Sequence, residues 1–276
     1  MKRTRESHLV NWAGVVCVAV FVFASPSFAA VITLVDNNSV AQIDPTTPAG
    51  MFNWFVDGQD QLTQQWFWYR VGTVNPEQPI NTISAPILSL PDPRTLYTTY
   101  NNGLFSVEVD YILTGSSPGS GISDIGESIR ISNLTGAPLD FHFFQYSDFD
   151  LLGTAGGDSV QLGQNLGGKY NEALQVDGSL ALTETVVAPG ATHGEVALFP
   201  VTLNKLNDGS ATVLSDNAGP VTGDATWALQ WDLTIPAGGT ALISKDKYLQ
   251  IIPEPTSVTL VGFGLLALLA VRRRGK

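Results

Sequence analysis

Two pairs of carboxylates lie two residues apart in the chain, Glu108 with Asp110 and Asp148 with Asp150. On an extended strand such residues share a face, ~6.5–7 Å apart. Carboxylates at comparable separations act as acid and nucleophile, or acid and base, in glycoside hydrolysis. The solvated face of an amphipathic strand in an acidic chain looks the same, so the spacing alone assigns no catalysis. Asp148-Phe149-Asp150, with Asp158 across a glycine-rich stretch, allows a second chemistry, because Ca²⁺ takes several oxygen ligands. The set lacks the regular offsets and central glycine of an EF-hand loop. Beyond residue 30 the histidines are His142 and His193. Neither stands near a G-x-S-x-G elbow in the sequence, so a Ser-His-Asp hydrolase is not expected. No histidine spacing suits zinc. Trp54, Trp66 and Trp68 are the candidates for stacking on a sugar ring. In Trp66-Phe67-Trp68-Tyr69 both strand faces are aromatic, which fits a strand buried on both sides better than an open platform. Arg70 follows directly and can lie over a ring.

The elements that would position these residues read as strands. In Phe105-SVEVDYIL, apolar residues at 105, 107, 109, 111 and 113 alternate with Ser106, Glu108 and Asp110. Thr226-WALQWDLTI alternates in the same way around Trp227, Leu229, Trp231, Leu233 and Ile235. Trp and β-branched residues suit a pleated, half-buried surface. Leu62-TQQWFWYRVG and Leu139-DFHFFQYSDF are aromatic-rich runs of the same kind. Ala188-Pro189-Gly190-Ala191 and Pro236-Ala237-Gly238-Gly239 are turn signals, each joining two apolar-rich segments. The glycine-rich run 153–168 reads as a long loop, with a short helix allowed over Ser159 to Leu166. Short strands with Gly/Pro turns, and no helical stripe over three turns, indicate an all-β sandwich of jelly-roll or immunoglobulin-like type.

Between Ala30 and Ile252 the chain carries 23 acidic and 7 basic residues. That excess keeps a protein soluble and opposes nucleic acid or an anionic membrane as partner. It is compatible with divalent cations or neutral polysaccharide. The only cysteine, Cys17, precedes this body, so disulfides and thiol chemistry are excluded from it.

Both ends read as address segments. Lys2, Arg3 and Arg5 precede an apolar run from Trp12 to Ala24 and the small-residue exit Ser25-Pro26-Ser27-Phe28-Ala29-Ala30. This is the pattern of a signal peptide for Sec-type export, with cleavage between Ala29 and Ala30. At the other end Pro253-Glu254-Pro255 is followed by the apolar run Val258 to Val271 and then by Arg272, Arg273 and Arg274. A helix of that length reaches ~21 Å, short of a ~30 Å hydrocarbon core. The arginines would hold the tail's end in the cytoplasm.

This ordered triplet, apolar run and basic cluster resembles the PEP-CTERM sorting signal. The resemblance implies recognition by an exosortase, a membrane enzyme that cleaves near the triplet, in a Gram-negative host that makes exopolysaccharide. Residues 1–29 are therefore expected to be a signal peptide, 30–252 an exported sandwich body, and 253–276 a hydrophobic helix that anchors the protein transiently. The body is expected to be non-enzymatic, structural or adhesive in a biofilm matrix, with no cofactor unless Ca²⁺ binds. Polysaccharide binding and a carboxylate-based glycosidase are the rival readings.

Overall fold

Alternating apolar and polar residues make strands, and strands with one greasy face must close on one another. A computed structural model describes residues 31–252. The expected signal peptide, the Ala29/Ala30 junction's first member, the Pro253-Glu254-Pro255 triplet, the hydrophobic helix and Arg272 to Arg274 lie outside the described residues, as does Ala30. The first strands are β1 (Ile32–Asp36), β2 (Ser39–Asp44), β3 (Gly50–Val56), β4 (Gln59–Asp60), β5 (Gln64–Val71) and β6 (Gln78–Pro79). Then come β7 (Ile87–Asp92), β8 (Thr95–Asn101), β9 (Phe105–Gly115), β10 (Ser123–Asn133), β11 (Leu139–Asp148) and β12 (Asp158–Gln164). The last are β13 (Tyr170–Asp177), β14 (Leu180–Ala188), β15 (His193–Leu198), helix α1 (Val201–Asn207), β16 (Val221–Gly223), β17 (Ala225–Ile235) and β18 (Thr240–Ile251).

These strands form two nine-stranded sheets. Sheet A runs β1-β2-β3-β5-β11-β17-β15, with β4 on β3 and β6 on β5. Sheet B runs β16-β12-β13-β14-β18-β10-β9-β8-β7. All described pairings are antiparallel except β3 with β5. The all-β sandwich is thus the architecture. Both Pro-Gly turns of the sequence carry the chain between the sheets. Pro189-Gly190 takes it from β14 in sheet B to β15 in sheet A, and the turn at 236–239 takes it from β17 in A to β18 in B.

Strand β9 buries Phe105, Val107, Val109, Tyr111 and Leu113 and turns Glu108 and Asp110 outward, as its alternation requires. Strands β5, β11 and β17 differ. From Ala225 to Trp231, from Phe141 to Asp148 and from Gln65 to Trp68, consecutive residues are buried on both faces. Sheet B covers one face. The segments 72–86 and 199–220 cover the other, tied down by hydrogen bonds from Trp66 Nε1 to Asn81 Oδ1 (3.2 Å) and from Trp68 Nε1 to Asn207 Oδ1 (3.3 Å). The ion pair Arg70–Glu77 (2.6 Å) and the Thr212 N–H on Glu77 close the same cover.

The run 153–168 corrects the reading of a loop with a short helix. Residues 158–164 are strand β12, paired with β13 and β16. Its alternation is too short to stand out between glycines: Val160 and Leu162 point inward, Gln161 outward.

The core between the sheets holds charge as well as rings. Phe67 stacks on Phe143 at 5.4 Å, and Phe149 on Trp227 at 5.2 Å. Beside them Glu127 of β10, Glu184 of β14 and Lys245 and Lys247 of β18 are all fully buried. Lys245 Nζ pairs with Glu127 Oε2, and Lys247 Nζ lies 2.8 Å from Glu127 Oε1 and 3.4 Å from Glu184 Oε2. Gln145 Nε2 of sheet A donates to Glu184 at 2.6 Å, joining the sheets through this group. Burial, with Lys247 alongside, pushes the Lys245 ammonium well below its usual range. Burial likewise raises Glu184, although Lys247 opposes it.

Candidate functional site

Four carboxylates gather where the chain twice passes between the sheets. Asp148 is the last residue of β11, and Asp150 lies just beyond it. Asp224 sits between β16 of sheet B and β17 of sheet A, and Asp158 opens β12 of sheet B. The β11–β17 ladder ends at Ser147 opposite Trp227, and the same register carried three residues further sets Asp150 opposite Asp224. The β12–β16 ladder sets Asp158 opposite Gly223, next to Asp224. One oxygen each from Asp148, Asp150 and Asp224 can be chosen so that all lie within 4.8 Å of one another. Of the expected oxygen ligands Asp148, Asp150 and Asp158, the structure therefore brings the first two together with Asp224 and places Asp158 behind them. Only the strand register reveals Asp224, which is distant in sequence.

The local chain is held firmly. The Thr63 N–H donates to the Asp148 carbonyl at 3.0 Å, and the Asp150 N–H to the Gln61 carbonyl at 3.1 Å. Tyr146 Oη donates to Asp148 Oδ2 at 3.2 Å, and Thr63 Oγ1 to Asp150 Oδ2 at 2.6 Å. The charges are less well served. Asp150 Oδ1 and both oxygens of the fully buried Asp158 have no hydrogen-bond partner. Gln175 and the Leu151 N–H ease Asp158 without closing a hydrogen bond. Burial first, then Asp150 and Asp224, push Asp148 up to about 7. Burial, with Asp177 and Asp150, pushes Asp158 up to about 7. Asp224 is raised by burial and by Asp150.

The other candidates are dispersed. Trp54 is buried between the sheets, its Nε1 donating to Ser123 Oγ of sheet B at 3.1 Å. Trp66 and Trp68 face away from sheet B but lie beneath the cover, 1% and 0% exposed. None of the three offers a stacking surface, because the segments that hide them come from elsewhere in the chain. Glu108 and Asp110 stand on the outer face of sheet B, with Glu108 Oε1 3.5 Å from Arg130 Nε. Asp110 lines a shallow groove of about 350 Å³ with Tyr97, Ile112, Gly126, Ser128 and Asp246. Tyr97 is 40% exposed there. The two histidines, isolated in sequence, meet through Asp232 on the outer face of sheet A. His142 Nδ1 lies 2.5 Å from Asp232 Oδ1, and His193 Nε2 lies 3.4 Å from Asp232 Oδ2. His193 Nδ1 also pairs with Asp216 at 2.9 Å. Burial opposes the charge on Asp232, but hydrogen bonds from Gln230 and His142 hold it below the usual range.

The same sandwich occurs in other proteins. A bacterial glucoamylase solved in complex with acarbose superposes with a TM-score of 0.58 at 6% identity, over 87% of this chain and 36% of that one. The present chain thus spans about a third of that protein's length. A galactose mutarotase-like protein from Clostridium acetobutylicum gives a TM-score of 0.50 at 8% identity, over 80% of this chain and 95% of that one. At such identities the likeness is one of fold. No curated protein sequence matches the chain. Among the described residues no helix is long and apolar enough to cross a membrane. Residues 252–274 match the PEP-CTERM protein-sorting motif, which implies processing by exosortase-type machinery. The chain is thus an exported protein that joins a PEP-CTERM sorting motif to a β-rich body.

Proposed function

We propose that the protein is anchored briefly by its tail, released by exosortase-type processing, and retained at the cell surface or in the extracellular matrix as a structural or adhesive, non-enzymatic component of biofilm or exopolysaccharide. One observation carries this reading. The sorting motif begins at Ile252, one residue after β18 ends, and β18 lies between β14 and β10 inside sheet B. The Ile252 N–H is itself bonded to the Ser179 carbonyl at 2.6 Å. A rigid sandwich is therefore joined to its address without a spacer, as suits a body delivered whole to a surface. Mass spectrometry of the mature protein from its native host tests the reading. A C-terminus near Pro253-Glu254-Pro255 on surface or matrix material is expected; a mature chain that retains Arg274 would refute processing.

A second reading, binding of neutral polysaccharide, has one favourable feature in the groove on sheet B. Tyr97 offers a ring face beside the carboxylates of Asp110 and Asp246, which can accept hydrogen bonds from sugar hydroxyls. The glucoamylase with the same sandwich was solved with acarbose, so neutral glucans are the first ligands to try. Tyr97→Ala should lower polysaccharide pull-down about tenfold, the loss of a stacking contact worth ~1.5 kcal/mol. Unchanged retention removes the groove from consideration.

A further inference from the structure

We propose that Asp148, Asp150 and Asp224 bind a divalent cation of the Ca²⁺ type, with the buried Asp158 supporting the site from sheet B. Three features of the corner converge on this. The first is shape. Oxygens on opposite sides of a Ca²⁺ ion at 2.3–2.6 Å stand roughly 4.6–5.2 Å apart. The three aspartates already offer oxygens within 4.8 Å of one another. A cavity of about 140 Å³ lined by Asp60, Leu62, Thr63, Asp150 and Gly153 adjoins Asp150 and has room for coordinating water.

The second is unmet polarity. Asp158 is 0% exposed, yet neither of its oxygens finds a donor, and Asp150 Oδ1 is orphaned beside it. Asp158 adjoins the cluster: it sits across the ladder from Gly223, the residue before Asp224, and its charge acts on Asp148. A buried carboxylate without hydrogen bonds or a counter-charge is costly. Five of the body's seven basic residues are engaged elsewhere, and neither of the other two, Arg94 and Lys169, is among the groups that act on Asp148, Asp158 or Asp224. Arg70 is held by Glu77, Arg130 by Glu108, Lys205 by Glu195, and Lys245 and Lys247 by Glu127. An external cation supplies what the chain lacks.

The third is ligand type. The candidate donors are carboxylate oxygens, with a threonine hydroxyl and backbone carbonyls nearby and no imidazole or thiolate. Such a set suits Ca²⁺ or Mg²⁺ over zinc or copper. Its mixture of strand-end and loop ligands suits the flexible shell of Ca²⁺ over the strict octahedron of Mg²⁺. Bound there, the ion would pin the end of β11 to the connection between β16 of sheet B and β17 of sheet A.

The test uses the full chain in mild detergent, stripped with EDTA, dialysed, and titrated with CaCl₂ or MgCl₂ by calorimetry and thermal unfolding. One Ca²⁺ per chain is expected, with a Kd of about 0.1–1 mM, the range of extracellular modules. Saturation should raise the unfolding temperature by several degrees. Asp224→Asn, a change in a half-buried connecting residue, should weaken binding at least about tenfold. Folded wild-type protein that shows neither heat nor a thermal shift at roughly 10 mM Ca²⁺, well above that range, overturns the site. So does Asp224→Asn binding as tightly as wild type, or a preference for Mg²⁺. If the variant fails to fold, the wild-type titration still decides.

Discussion

Two of the charged groups enclosed by this sandwich are solved in opposite ways. In the middle of the core, Glu127 and Glu184 meet Lys245 and Lys247, two of each sign on three adjacent strands of one sheet. At the corner between the sheets, Asp148, Asp150, Asp158 and Asp224 meet no cation among the described residues. Burial strains both groups. The first balances its charges internally, so its cost is set by desolvation and its benefit by geometry. The second has no internal balance and must take up protons or a metal ion. A buried group with its own counter-ions reads as architecture; one without them reads as a site.

The sharpest way to break this contrast is to remove Glu127. It touches both lysines, so Glu127→Leu leaves two buried ammonium groups against Glu184 alone. Breaking a buried ion pair from one side costs about 3–5 kcal/mol. Urea denaturation should show that loss, and Ca²⁺ should not restore it. A loss below about 1 kcal/mol, the scale of an exposed pair, would mean that the central group is not held as an ionic network, and the contrast would fail.

How much of this was legible in the sequence follows from how local each signal is. The strands at 105–115 and 225–235 announce themselves because side chains alternate with a period of two. The sorting motif is legible for the same reason, as three elements in order within one short stretch. Trp66 and Trp68 are less so, because their exposure depends on Asn81 and Asn207, residues that no local pattern links to them. Glu127 keeps the inward phase of Ile125, Ile129 and Ile131, so its burial could have been read from alternation; its lysine partners lie on another strand. Asp224 becomes a neighbour of Asp150 only through the register of two strands some eighty residues apart. Asp158 is legible as an oxygen donor, but its place at the head of a seven-residue strand is masked by the glycines of its run.

A pH series in chelator sharpens the corner's side of the comparison. Folding raises the pKa of Asp148 from 3.8 to about 7, so the folded chain holds more protons than the unfolded chain between those values. Stability contributed in this window is present below about pH 4 and is lost as pH rises through 7. Glu184 acts in the same direction and Lys245 in the opposite one, so the wild-type curve mixes both groups. The difference between wild type and Asp148→Asn isolates the corner. It should swing by about 2–3 kcal/mol in favour of the variant from pH 4 to pH 7, a discounted conversion of the shift because Asp158 titrates with it. Saturating Ca²⁺ should reverse the sign at pH 7. A flat difference would mean that Asp148 meets a counter-charge after all.

The smallest expected effect separates the groups by their access to water. Asp150 and Asp224 are half-buried and repel one another, whereas the central four side chains are sealed. Salt screens charges that face solvent and hardly touches enclosed ones. In chelator, raising NaCl from about 0.05 M to about 0.5 M, where the screening length falls several-fold, should stabilise the wild type more than Asp224→Asn. A difference of a few tenths of a kcal/mol is the scale for partly exposed charges. Comparison with the variant removes the general benefit that salt brings to a strongly acidic chain, since both proteins share it. The same comparison with Glu127→Gln should show no salt term, because no solvent reaches that group. Equal salt responses in all three proteins would place the corner carboxylates too far apart to repel, and a cation there would then have little to neutralise.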